Sequence, residues 1–215
     1  MGAMTAGLRE LKKQQTRQSI SDTATRLFIE HGFEKVTITE IAAAAQVAKM
    51  TVTNYFPRKE DLALDTHETF IASLARTVAA RAEGESALAA LRREFLAAVE
   101  RHDAVIGFSG PDFARMIADS PTLTARLREL HELREDALAR VLAADTGATP
   151  GDLTPRAVAA LLTTAHRTLF QQVMDLSLEG RDNREIATVV AGAARGIFDL
   201  LEPSLAGYAV RARPS

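Results

Sequence analysis

The chain has 215 residues, 47% of them hydrophobic, and no cysteine. Disulfides, thiolate metal sites and a cysteine nucleophile are thereby excluded. The net charge of −2 hides an asymmetry: residues 1–60 carry +3 and the remainder −5, and all five lysines (Lys12, Lys13, Lys35, Lys49, Lys59) lie in that first segment. A basic end on an acidic body is what phosphate contact at one end requires, although an excess of this size also arises by ordinary scatter. Alanine and leucine dominate, aromatics are few and no run alternates as a strand does, so the chain reads as all-α. No apolar run is long enough for a membrane span and no signal-peptide core is read at the N-terminus, so a cytoplasmic protein without membrane contact is expected. The opening Met1-Gly2-Ala3-Met4 leaves open whether Met4 is the native start.

In chain order, residues 1–10 are expected to be loose. A first helix is predicted from about Leu11 to His31, with Ile20, Ala24, Leu27 and Phe28 inward and Gly32 as its stop. Thr37 and Glu40 form a capping box for a short second helix to about Ala45. A corner at Gln46-Val47-Ala48 leads to a third helix, Lys49 to about Phe56, ended by Pro57. A long fourth helix is predicted from Lys59 to Glu83 and a fifth from Ser86 to Val105. The breaker Gly107-Phe108-Ser109-Gly110-Pro111 follows, then a short helix from Asp112 to Asp119. Ser120 and Pro121 open a helix running to about Ala144. Its run Arg128, Glu129, Glu132, Arg134 and Glu135 reads as a solvated face. Thr154 as N-cap with Pro155 opens the eighth helix, ending before Gly180. Asp182 and Glu185 box the ninth, which Pro203 ends, leaving a loose tail to Ser215.

The second and third helices carry the chemistry. Two short helices around a tight corner can place one helix in a DNA major groove. Val52 and Phe56 are four apart and turn inward, while Lys49, Thr51, Thr53 and Asn54 face out. Threonine offers a hydroxyl and a methyl to base edges. Lys49 and the Tyr55 hydroxyl suit phosphates, as do the backbone amides beside Thr37 and Thr39 at a helix N-terminus. From these residues alone, a generic helical hairpin stays open beside a DNA-binding one.

The run from Ser19 to Leu64 resembles the N-terminal domain of the TetR family of bacterial repressors. The shared anchors are Ala24, Leu27, Phe28, His31, Gly32 and Phe33, then Thr37, Ile41, Ala42 and Val47, then Tyr55, Phe56, Pro57, Lys59, Glu60 and Leu62. The resemblance implies base contacts from Thr51, Thr53 and Asn54. It implies phosphate contacts from Lys49, Tyr55 and Lys59, with Thr37 and Thr39 beside them. The chain departs from the family pattern in two ways. Gln46 stands where glycine is usual, at a position that often needs φ > 0. Ala48 and Arg58 stand where side-chain caps are frequent.

The resemblance also implies a C-terminal helical domain that binds a ligand and dimerises through its last two long helices. The expected division is 1–58 for DNA binding and 59–215 for ligand binding and dimerisation, with about nine helices in all. Apolar stripes fit this independently and nominate Leu162, Leu169, Val173, Val189, Ala193 and Ile197 for a dimer face. Phe70, Phe95, His102, Phe113, Met116, His166 and Phe170 are the pocket candidates, supported by Phe108, His131 and Met174. There is no HExxH, GxSxG or phosphate-binding glycine loop, so no enzyme, cofactor or metal is expected. The function expected is a homodimeric, sequence-specific regulator, a repressor released from double-stranded operator DNA by a small molecule. A DNA-binding protein with a filled core, and a helical enzyme or interaction module with a vestigial helix-turn-helix, are the competing readings.

Overall fold

A computed structural model describes residues 2–212, with side chains from residue 10 onward. Among the described residues there are ten α-helices and no named strand. They are α1 (Gly2–His31), α2 (Ile38–Ala44), α3 (Lys49–Tyr55), α4 (Glu60–Ala63), α5 (His67–Ala79), α6 (Ala87–Glu100), α7 (Pro111–Ala118), α8 (Pro121–Thr146), α9 (Thr154–Leu178) and α10 (Asn183–Leu205). A 3-10 turn at Ala104–Ile106 precedes the glycine-rich breaker. The chain forms two compact units. One holds residues up to His67 with Arg115–Arg126, and the other holds Glu68–Ala114 with Leu127 onward. The first therefore extends past the expected division at 58/59 and takes back a distant segment.

In the first unit, Ile20, Ala24 and Phe28 of α1 are buried with Ile41, Val52, Phe56 and Leu62. Gly32 ends α1 with φ +86, and its amide donates to Phe28 O at 2.9 Å. The helix starts at Gly2 rather than Leu11, so residues 2–10 are helical and not loose. The expected long fourth helix is broken between Ala63 and His67 without glycine or proline. Leu64 leaves the helical region (φ −113, ψ 49). The Ser21 hydroxyl lies 3.1 Å from Leu62 O and 2.8 Å from the Asp65 carboxylate, which holds the break against α1. Ser120 caps α8 through the amide of Leu123 and donates to Glu34 at 2.6 Å. Hydrogen bonds from Ser120 and Thr122 keep the Glu34 carboxyl below its ordinary pKa.

In the second unit, α6, α9 and α10 pack around Leu91, Phe95, Leu162, Leu169, Val190 and Phe198. The expected fifth helix stops at Glu100. His102 adopts φ +52 and the Asp103 side chain caps the 3-10 turn through the amide of Val105. Gly107 (φ +110) is required there, since a Cβ would meet Val173 at 3.1 Å. Thr154 does not cap α9: it is already helical, and Asp152 accepts from its amide at 2.9 Å. Asp182 caps α10 through the amides of Arg184 and Glu185. Pro203 sits inside α10, which continues to Leu205. The segment after it is tied down, not loose. Gly84 and Arg211 pair through Gly84 N to Arg211 O at 2.9 Å, and the buried Arg81 donates to Ala209 O at 3.1 Å. The end of the expected loose tail, residues 213–215, lies outside the described residues.

Candidate nucleic-acid interface and ligand cavity

The capping box at the start of α2 forms as its residue types demand. The Thr37 hydroxyl accepts from the Glu40 amide at 3.2 Å, and the Glu40 carboxylate accepts from the Thr37 amide at 2.7 Å. These bonds hold the Glu40 carboxyl below its usual range, the backbone amide of Thr37 first. The box fixes where α2 begins, so Ile41 and Ala42 face the core. Gln46 then turns the chain in the left-handed region, with φ +56. The turn is the one in which glycine is favoured, made here by a residue with a Cβ. Ala48 opens α3 with no side-chain hydrogen bond, so the cap expected to be missing is missing.

Helix α3 buries Val52 and presents Lys49, Thr53 and Asn54 to solvent, with Thr51 and Tyr55 half-buried. The Thr53 hydroxyl donates to Met50 O at 3.1 Å, which leaves its methyl and lone pairs outward. Met50, which the sequence pattern did not single out, is 69% exposed beside them. An exposed, flexible thioether on that face adds an apolar surface of the kind a thymine methyl meets. Thr37 and Thr39 are exposed at the first turn of α2. Lys59 is placed differently from the phosphate ligand expected of it. Its ammonium donates to Phe33 O and lies 4.3 Å from the Phe33 ring and 5.6 Å from the Phe28 ring. Burial lowers its pKa. It is an internal tether between α4 and the loop before α2.

The second unit contains a cavity of about 230 Å³. Of the seven pocket candidates, Phe95 and His166 line it. Phe70 and Phe170 instead pack edge to face with His131 nearby, ring centroids 5.0–6.0 Å apart. His102 stacks on Phe108 at 5.2 Å, Phe113 is half-buried, and Met116 is buried in the first unit. The His166 ring sits between Phe95 and Phe198 at 5.5 and 5.6 Å. Its Nδ1 is 2.8 Å from Leu162 O. A carbonyl only accepts, so Nδ1 carries the proton and Nε2 is a bare acceptor. Burial, then the charge of Arg134, drives the His166 pKa down to about 3.

Arg134 departs furthest from its expected place. The charge run on α8 puts it on a solvated face, whereas it is 2% exposed and lines the cavity. Its guanidinium carbon lies 4.5 Å from the centre of the Phe70 ring, its Nε has no hydrogen-bond partner, and burial lowers its pKa to about 9. A signal for this exists in the sequence: Arg134 is four residues from both Leu130 and Leu138, each fully buried, so it occupies a position on the apolar stripe of α8.

Three dimer candidates also move. Leu162, Leu169 and Val173 are fully buried within the chain's own core, because α9 turns them toward α6 and α10. Ala193 and Ile197 are half-buried and Val189 is 40% exposed. The outward apolar positions are Leu161 on α9 and Val189 and Leu200 on α10, with exposed Gly192 and Gly196 between the last two.

Residues 20–66 match the family model described as bacterial regulatory proteins, tetR family. The chain is 28% identical to the HTH-type transcriptional regulator TcmR of Streptomyces glaucescens over 172 residues, covering 77% of this chain and 76% of that protein. Among solved structures it is similar to NalD, the secondary repressor of the MexAB-OprM multidrug efflux pump in Pseudomonas aeruginosa. That match has a TM-score of 0.53 and 19% identity, covering 91% and 98% of the two chains. It is also similar to SmeT, solved as a complex with triclosan, with a TM-score of 0.54 and 19% identity over 94% and 100%. Family model and geometry agree over α2 and α3: residues 20–66 match the DNA-binding domain of the tetR family of bacterial regulatory proteins, and the chain as a whole is similar to regulators that carry it.

Proposed function

We propose that this protein is a homodimeric repressor that holds a two-fold operator through α3 and lets go when a small molecule fills the cavity of the second unit. The observation that carries the DNA half is the outward face of α3, where Lys49, Thr51, Thr53 and Asn54 stand opposite buried Val52. Lys49 supplies phosphate attraction, while Thr51, Thr53 and Asn54 supply the donor, acceptor and methyl groups that read base edges. A two-fold operator calls for two copies of α3 at fixed spacing, and therefore for a dimer. Exposed Leu161, Val189 and Leu200, with the glycines Gly192 and Gly196, support a pairing face on α9 and α10.

The sensor half rests on the cavity, which disfavours a filled-core protein. SmeT, a protein of this fold, is known with triclosan bound. Helix α8 contributes its first residues to the DNA-side unit and the rest, including Arg134, to the cavity-bearing unit. A ligand that binds one arrangement of α8 better than another shifts the equilibrium toward it. The test is a footprint of the purified protein on the region upstream of its own gene, followed by a search for compounds that erase it. No protected site there and no salt-sensitive duplex binding would overturn the DNA reading. A protected site that no compound in a broad panel erases would overturn the sensor reading.

A further inference from the structure

We propose that the cavity takes a compact organic monoanion whose carboxylate pairs with the guanidinium of Arg134. This rests on the sensor reading above and names the chemical class of its effector.

Arg134 is 2% exposed, has no carboxylate within ion-pair distance among the described residues, and makes its one specific contact with the face of Phe70. A buried charge without a partner is costly, and the buried Nε without a hydrogen bond adds to that cost. The guanidinium fork matches a carboxylate in two parallel hydrogen bonds. The acids that also line the cavity do not serve Arg134. Glu94 and Asp103 are both held by Arg101, at 2.9 and 3.3 Å, and Asp103 also accepts from the amide of Val105.

The remaining lining narrows the class. Leu74, Leu91, Phe95 and Ile106 make the walls apolar, so the body of the ligand is apolar. A volume of about 230 Å³ lies below the ~300–1,000 Å³ range of sites for drug-sized ligands, so that body is small. Two arginines line the cavity, but Arg76 is exposed and donates to Thr69 O at 3.2 Å, so Arg134 is the buried guanidinium and neutralises one charge. A dianion such as a phosphate monoester would bring in a second charge with no buried partner, which favours a carboxylate. The bare Nε2 of His166 accepts a hydrogen bond, so a hydroxyl or amide N–H on the ligand adds affinity.

The test is calorimetric titration of the full-length protein with two acids and their uncharged amides: octanoate against octanamide, and cinnamate against cinnamamide. At least one acid is expected to bind at least about tenfold more tightly than its amide, the size of effect that a charge-assisted pair supplies. Arg134→Met removes that preference and Arg134→Lys reduces it, while Arg140→Met, on an exposed position of the same helix, keeps it. The proposal is overturned if neither acid binds, if each acid and its amide bind alike (as they would were water to satisfy Arg134), or if the preference survives in Arg134→Met. Should Arg134→Met fail to fold, the wild-type contrast and Arg134→Lys decide. Operator release is scored separately. An acid that binds through Arg134 without displacing the protein from DNA overturns the sensor reading and leaves the site. An uncharged compound that displaces it, with no acid bound, does the reverse.

Discussion

Arg126, in the second turn of α8, donates across 2.8 Å to the carboxylate of Asp61 in α4, with both side chains 8% exposed. The two residues are 65 apart in sequence, and the pair fastens the start of α8 to the helix that follows the DNA-binding helices. Replacing Asp61 by Asn keeps the shape and removes the charge. The expected cost is about 3 kcal/mol of stability in the first unit, the size typical when one partner of a buried pair is removed. Urea denaturation of the variant checks it, and a loss under about 1 kcal/mol would mean the pair behaves as a surface contact.

The corner between α2 and α3 is less stable than it has to be. Gln46 sits at φ +56, where a Cβ costs about 1–2 kcal/mol that glycine avoids. Ala48 occupies the N-cap of α3 without a hydroxyl to offer. Gln46→Gly is expected to stabilise the chain by about 1 kcal/mol, less the extra unfolded-state entropy of glycine. Ala48→Ser is expected to add about 0.5–1.5 kcal/mol. Thermal melting of each single variant and of the pair tests this. A lowered melting temperature in Gln46→Gly would mean that the Gln46 side chain contributes more than its backbone strain costs.

These two positions also show what the sequence discloses and why. Capping and turn chemistry is local, so the roles of Thr37, Glu40, Gln46, Ser120 and Gly32 are legible from nearest neighbours alone. The break after Ala63 is hidden, because it depends on Ser21 lying 3.1 Å from Leu62 O, a contact between residues 41 apart. The dimer face is hard to read because both sides of α9 carry leucine, and composition cannot say that Leu162 turns inward while Leu161 stays 51% exposed. At Arg134 two local signals conflict. The spacing to Leu130 and Leu138 places it inside, and the rule that charges face solvent places it outside. A site that binds a charged ligand is where those two signals are expected to disagree.

His131 and His166 make the protein sensitive to mild acid. Both are held at about 3 against an ordinary 6.5, by burial first and then by the charge of Arg134. Their folded pKa values are lowered, so at mildly acid pH the unfolded chain binds protons that the folded one refuses. Stability is complete above about pH 6.5 and is lost as pH falls toward 3, at about 1.4 kcal/mol per pH unit for each ring. Near pH 5 the two together are expected to cost about 4 kcal/mol. Glu34, Glu40 and Glu85, whose pKa values are lowered from 4.5, lose their contribution only below that value, under the range between about pH 6.5 and pH 5. Urea denaturation at several pH values tests this with His131→Phe and His166→Phe combined: stability between about pH 6.5 and pH 5 is expected to flatten. An unchanged slope would place the titration elsewhere.

Leu200 is 79% exposed and Leu161 51%, which is a large apolar exposure for helices that otherwise pack well. If α9 and α10 pair with a second copy, Leu161→Glu with Leu200→Glu should raise the dimer dissociation constant by at least about tenfold. The fold should change by no more than about 0.5 kcal/mol, since both side chains face outward. Sedimentation velocity measures the first and thermal melting the second. A dimer that survives both changes would place the interface on another face, and operator affinity would then be unaffected as well.

Lys49 and the Thr53–Asn54 pair should fail in different ways when removed, because one side of α3 meets a uniform backbone and the other a varied one. Lys49 is exposed at the start of the helix with no competing partner among the described residues. Its ammonium contributes affinity by displacing counterions from the phosphate it meets. Lys49→Ala is therefore expected to weaken specific and random duplexes alike, and to lower the slope of log affinity against log salt by about 0.9 for each phosphate left unneutralised. Thr53→Ala and Asn54→Ala leave the charge alone and should keep the slope, while removing about 1–3 kcal/mol of preference for the operator over its point variants. Fluorescence anisotropy at several salt concentrations, on operator and scrambled duplexes, separates the two effects. A salt slope that stays fixed in Lys49→Ala, or an operator preference that survives without Thr53 and Asn54, would mean that another face of the first unit lies against the bases.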